Sequence, residues 1–338
     1  MVEFHVLGAV RAVGDDGEVD IGGPRQRRLL AALVLHRNGV VSTDRLAEAV
    51  FAGVPTPAAA TTLRSYVARL RWALADGGAA EPALTTRAPG YSLRVTDEAL
   101  DSARFERLLG DGRARASDDA VGAAAALRQA LDQWGGDAYA EFADEDWARP
   151  EAQRLGELRL VTHELLIDAE LACGHAIELV SPLESLVAED PLREAFRARL
   201  MIALYRSGRQ VEALRVARQY RQVLADEVGL EPSPELVELE GKILDHDEDL
   251  RVTEPAGRRL RGYRLGARLG TGRDGTVHAA RLPGVRRDLA IRISPADIAD
   301  RPDVVRSFDA GVRRVAALRH EAIVPIHDHW REPGAPTS

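Results

Sequence analysis

Two stretches of this 338-residue chain carry side chains whose types and spacing suit chemistry on phosphate. The first is PAAATTLRSYVARLRWALA, residues 57–75, where Leu63, Tyr66, Val67, Leu70 and Leu74 recur with the period of a helix and form one apolar stripe. Opposite that stripe stand Thr61, Ser65, Ala68 and Trp72, flanked by Thr62, Arg64, Arg69 and Arg71, with no carboxylate among them. Hydroxyls and guanidinium groups reach phosphates and base edges, whereas carboxylates are repelled by them. Taken alone, the pattern fits a helix in a DNA groove and an ordinary basic surface helix equally. The second stretch is Gly270-x-Gly272-x-x-Gly275-x-Val277, lying between two strand-like runs and followed in the next strand by Arg292. Glycines there let a backbone approach phosphate, and an arginine is a permanent cation for it.

The flanking elements must position the basic helix. Before it, Arg25–Arg37 turns Leu29, Leu30, Leu33 and Val34 inward, and Asp44–Phe51 is a shorter helix that Ser42 or Thr43 can cap. Arg25, Arg27 and Arg28 at the first helix start fit either phosphate contact or plain solvation. After it, Ala83–Val95 reads as two strands around Arg87-Ala88-Pro89-Gly90, a hairpin that carries Arg87 and Tyr91. Alternation through Phe4, Val6, Leu7 and Val10, a Gly14–Gly17 turn, then Val19 and Ile21 predicts a small antiparallel sheet in residues 1–23. Three helices followed by a hairpin is the winged helix-turn-helix order.

The opening FHVLGAV to AEAVF, the helix TTLRSYVARLRWAL and the hairpin RAPGYSL resemble the DNA-binding domain of the Streptomyces antibiotic regulatory proteins (SARPs), an OmpR-type winged-helix family. In such domains the loop between the second and third helices touches RNA polymerase. The resemblance thus marks Phe51, Gly53, Val54 and Thr56 as polymerase-contact candidates, although Phe51 also suits a core plug.

From Asp101 the pattern is wholly helical, with apolar stripes in Ala103–Leu109, Val121–Trp134, Trp147–Ala172, Ile177–Val187, Phe196–Tyr205, Val211–Val223 and Leu236–Leu244. Gly174 and Gly208 stand 34 residues apart, the tetratricopeptide period of stacked helical hairpins. Pro182 interrupts one of these patterns, so that helix is expected to bend or to begin at Ser181. Residues 101–246 resemble the bacterial transcriptional activation domain that follows the winged helix in SARPs.

Charge divides along the chain. Residues 1–96 sum to +2, residues 97–250 to −17 and residues 251–338 to +7. The acidic middle would repel a phosphate backbone, which confines any DNA footprint to the first segment and leaves the middle for protein partners. The single cysteine, Cys173, cannot form an internal disulfide and reads as a buried structural thiol. Glu141, Asp144, Glu145 and Asp146 read as a solvated acidic loop. His327 and His329 alone do not make a metal site, and no apolar run or leader suits a membrane or export.

Beyond a linker at 249–260, the order strand, glycine loop, strand, Ala290-Ile291-Arg292 and helix resembles a protein-kinase N-lobe. Arg292 stands where that family has its phosphate-pairing lysine, and Gly311 where it has the orienting glutamate, so no phosphoryl transfer is expected. Weak ATP binding at Gly270, Gly272, Gly275, Val277 and Arg292 is the one cofactor this lobe suggests.

The expected fold is multidomain and mainly α: an α+β winged helix-turn-helix (1–96), an all-α tetratricopeptide-like domain (97–248), a linker (249–260) and a small α+β kinase-like N-lobe (261–338). The expected protein is a cytoplasmic, non-enzymatic activator of a secondary-metabolite gene cluster. Its implied partners are double-stranded promoter DNA, bound at direct repeats as a homodimer, and RNA polymerase with its sigma factor. The alternative reading is a signalling scaffold or an ATP-sensing pseudokinase regulator.

Overall fold

The computed structural model describes residues 2–51, 57–76, 83–247, 250, 259–260, 263–272, 275–282 and 289–293. The chain divides into two compact units, Met1–Val252 and Thr253–Ser338. Among the described residues the fold is mainly helical, with ten α-helices.

The first unit opens with the antiparallel meander β1 (Glu3–His5), β2 (Arg11–Gly14) and β3 (Gly17–Glu18). Strand β3 is shorter than the alternation through Val19 and Ile21 suggests. Pro24 begins α1 (Pro24–Leu35), its fixed φ and missing N–H suiting the first turn. Then come β4 (Val41–Ser42), α2 (Thr43–Phe51), α3 (Pro57–Asp76), β5 (Leu84–Arg87) and β6 (Gly90–Leu93), whose strands form a second sheet in the order β4-β6-β5. The chain here is a winged helix-turn-helix. Two residues are too few for a periodic signal, so β4 was invisible in the sequence.

A 3-10 turn (Asp97–Ala99) leads into α4 (Asp101–Arg115), α5 (Ala120–Leu131), α6 (Arg149–Cys173), α7 (Ala176–Glu189), α8 (Glu194–Arg206), α9 (Gln210–Glu227) and α10 (Pro234–Leu244). Gly174 and Gly208 take φ of +89° and +76° just past α6 and α8, a backbone that side chains disfavour and that ends each helix of the repeat. Pro182 lies inside α7, so the helix runs through it and does not begin at Ser181. Cys173 is only half-buried, contrary to the buried thiol expected, because it ends α6 beside the turn rather than facing a core.

The apolar core does not divide at residue 96. One continuous cluster joins Val2, Phe4, Leu29, Leu33, Leu63, Leu70 and Leu93 of the winged helix to Phe105, Leu127, Tyr139, Phe142 and Leu155. A second cluster, from Ile167 to Leu250, fills the α7–α10 stack. Leu250 is buried there and its carbonyl accepts from Arg206 Nε at 2.9 Å, so the helical body reaches past the expected linker start.

The second unit shows a four-stranded antiparallel sheet, β7 (Arg259–Leu260), β8 (Tyr263–Gly272), β9 (Gly275–Arg281) and β10 (Leu289–Ile293), in the order β10-β9-β8-β7. Its buried face carries Leu265 and Ala280 with Leu289, Ile291 and Ile293 against them. The register sets Gly270 opposite Val277, and Val277 opposite Arg292. Arg273, Asp274, Gly311, His327 and His329 lie outside the described residues.

Candidate nucleic-acid interface

The groove-helix candidates sit on α3. Leu63, Val67, Leu70 and Leu74 are almost wholly buried, which contributes about 1.5–3 kcal/mol each and fixes the helix's rotation. That rotation turns Thr61, Arg64, Ser65, Ala68 and Arg69 outward. Trp72 is 72% exposed, so the helix does not twist it into the core. Tyr66, on the stripe edge, stacks on Phe51 with ring centroids 6.2 Å apart, and the Arg25 guanidinium lies 5.6 Å above the Phe51 ring. Phe51 therefore braces α2 against α3; Gly53, Val54 and Thr56 lie outside the described residues.

The wing is fastened to the preceding elements at three points. Arg71 donates through Nε to Leu84 O at 2.9 Å and through Nη2 to Thr86 Oγ1 at 3.2 Å, linking α3 to β5. At the hairpin turn, Thr43 donates to Pro89 O from both its backbone N and its Oγ1, each at 3.2 Å. Asn38, held at φ +65°, pairs its side-chain amide with both backbone groups of Val95, at 2.9 and 3.0 Å. Gly90 has no room for a side chain, since a Cβ there would lie 1.9 Å from Val41 O.

These fastenings sort the sequence candidates. Arg64, Arg69 and Arg87 are exposed and make no hydrogen bond or ion pair among the described residues. Arg71 is committed to the wing. Tyr91, a surface candidate on sequence, is a correction: it is 9% exposed, because its place in β6 between β4 and β5 turns the ring into the core.

Arg27 lies beside a carboxylate far along the chain. Its Nε lies 3.1 Å from Glu141 Oε1, while Arg28 pairs with Glu145 and lies 5.6 Å over the Phe142 ring. The first turn of α1 thus faces the α5–α6 connection, and Glu141 and Glu145 are ion-pair partners of α1 rather than a purely solvated loop. Asn38, Asp101, Glu141 and Glu145 escape a sequence reading because each acts across at least 57 residues of chain.

In the glycine-loop sheet, β8 and β9 meet at Gly272 and Gly275, and Arg292 sits on an exposed position of β10 in register with Val277. The row Gly270, Val277, Arg292 is thereby brought together.

Residues 18–93 match the model of the C-terminal domain of transcriptional regulatory proteins, and residues 100–244 match the bacterial transcriptional activator domain. Regulatory protein DnrI of Streptomyces peucetius is 32% identical over 261 residues, 75% of this chain and 96% of that one. The chain belongs to the SARP family of transcriptional regulators. Regulatory protein AfsR of Streptomyces coelicolor is 41% identical over 251 residues, covering 74% of this chain but 25% of the relative. This chain therefore corresponds to about a quarter of that longer SARP relative. Among solved structures, Mycobacterium tuberculosis EmbR in complex with a low-affinity phosphopeptide superposes with a TM-score of 0.69 at 34% identity, over 72% of this chain and 65% of EmbR. No described helix is long and apolar enough to cross a membrane.

Proposed function

We propose that this SARP-type chain is a transcriptional activator that binds promoter direct repeats as a side-by-side pair and recruits RNA polymerase with its sigma factor at a secondary-metabolite gene cluster. The observation that carries the DNA reading is the outward face of α3: among the described residues Arg64 and Arg69 stand unpaired beside Thr61 and Ser65, as does Arg87 on the adjoining wing. Charges left without an internal partner are the ones free to meet phosphates and base edges. In this reading residues 97–248 and the 51–56 loop serve polymerase, and the acidic balance of the middle segment keeps it off the duplex.

The C-terminal lobe, in the same reading, holds a nucleotide weakly or not at all and transfers no phosphoryl group. The row Gly270, Val277 and Arg292 supplies a permissive backbone and one cation, but a cation alone does not position a transferring phosphate.

A gel shift with matched and random duplexes, followed by transcription with purified polymerase, tests the proposal. Selective retardation and polymerase-dependent stimulation are expected. Equal retardation of both duplexes would sink sequence-specific binding, and selective binding without stimulation would sink activation.

A further inference from the structure

Six backbone groups in the short segment between β1 and β2 are satisfied from far along the chain. Val6 N and Leu7 N donate to the Asp101 carboxylate at 2.9–3.0 Å. The carbonyls of Val6, Leu7 and Gly8 accept from Tyr139 N at 2.7 Å, Gly135 N at 2.7 Å and Ala140 N at 3.1 Å. Val10 N donates to Glu141 Oε2 at 2.9 Å. Buried backbone groups must find partners, and without residues 101–141 this segment would lose all six.

The α5–α6 connection supplies most of them. Gly8, at φ +156°, packs against it so closely that a Cβ would lie 3.3 Å from the Gly135 carbonyl carbon. Beyond that contact the same connection takes the two arginines that open α1: Glu141 meets Arg27, Glu145 meets Arg28, and Phe142 is buried under the Arg28 guanidinium. Leu29, Leu30 and Leu33 of α1 share one core with Leu63, Val67 and Leu70 of α3. A displacement of α1 is thereby passed to the helix that carries Arg64 and Arg69.

We infer that residues 132–148 are a clamp that makes the winged helix and the α4–α5 hairpin a single DNA-reading body, with Glu141 and Glu145 acting as positioning residues for α1 and, through the shared core, for α3. Neither carboxylate touches DNA in this arrangement. Their effect on binding is indirect, and it rests on the DNA reading proposed above.

The full chain carrying Glu145→Arg tests it, with the charge swap Arg28→Glu/Glu145→Arg as the second variant. Amide hydrogen exchange is followed in residues 2–35 and in α8–α9, and promoter affinity is measured beside it. Glu145→Arg should raise exchange at least tenfold in residues 2–35 with α8–α9 unchanged, and weaken promoter binding at least fivefold. The swap should recover most of both. Unchanged exchange in residues 2–35, or a rise shared equally with α8–α9, would overturn the clamp. Raised exchange with parental affinity would overturn the positioning role, as would a swap that restores neither. Should the parent bind no DNA at all, the DNA reading fails while the exchange data still decide the clamp.

Discussion

The Arg71 guanidinium reaches across from α3 to the carbonyl of Leu84, Nε to O at 2.9 Å, so the wing's first strand is tied to the helix whose outward face carries Arg64 and Arg69. Helix and wing are thereby held at one spacing. The second fork nitrogen engages Thr86, which uses the planar, two-pronged geometry of arginine.

Arg71→Ala should loosen the wing, costing about 1.5–3 kcal/mol for a lost charge-assisted hydrogen bond. Arg71→Lys should recover little, because an ammonium lacks the fork. Urea unfolding together with amide exchange in residues 84–93 checks this; parental exchange in the alanine variant would contradict the tie.

Arg64→Ala and Arg69→Ala should each weaken promoter binding by about 1–3 kcal/mol if the side chain reads a base, or lower the salt slope by about one if it holds a phosphate. Fold stability should stay within about 0.5 kcal/mol, since both are exposed and have no partner among the described residues. A salt titration of affinity separates the two modes. Parental behaviour of both variants would discard α3 as the groove helix.

Asp101 is 2% exposed and accepts from the backbone N–H groups of Val6, Leu7 and Ser102. Asp101→Ala would leave those donors buried and unpaired, at about 1–3 kcal/mol for each group. Asp101→Asn keeps one acceptor oxygen and should lose less. Chemical denaturation of the three proteins gives the ranking, and equal midpoints would refute it.

Gly90→Ala should displace β6 from β4, since the new Cβ would lie 1.9 Å from Val41 O, a backbone atom that cannot rotate away. The expected result is a lowered melting temperature with weakened DNA binding. A variant that melts and binds like the parent would show that the two strands part without cost.

Burial lowers the pKa of His36, with Arg45 adding to the effect, and burial likewise lowers that of His163, with Arg159 adding. A depressed histidine binds its proton better when unfolded, so stability is whole above the ordinary value near 6.5 and falls as pH drops through the folded value below it. Melting temperatures should therefore decline as pH falls below about 6.5. Asp101 titrates in the opposite sense, burial raising its pKa against the pull of its backbone donors, so its stability contribution falls as pH rises through its window. His36→Gln with His163→Gln isolates the imidazoles, and an unflattened profile in that double variant would reject them as the cause.

The sequence by itself determined what depends on local order. The period of Leu63, Val67, Leu70 and Leu74 set which side of α3 faces inward, and the 34-residue spacing of Gly174 and Gly208 set the helical hairpins, because helix rotation and helix ends are fixed by neighbours within a few residues. It also marked Arg64, Arg69 and Arg87 as cations on helix and wing. What it did not contain was which charges find partners. Tertiary structure alone committed Arg71 to the wing and Arg27 and Arg28 to Glu141 and Glu145, buried Tyr91, and merged the winged helix with α4–α6 in one core. An arginine's availability is set by whatever the fold brings within a few ångströms of it, and those carboxylates and carbonyls lie from 13 to more than 100 residues away along the chain.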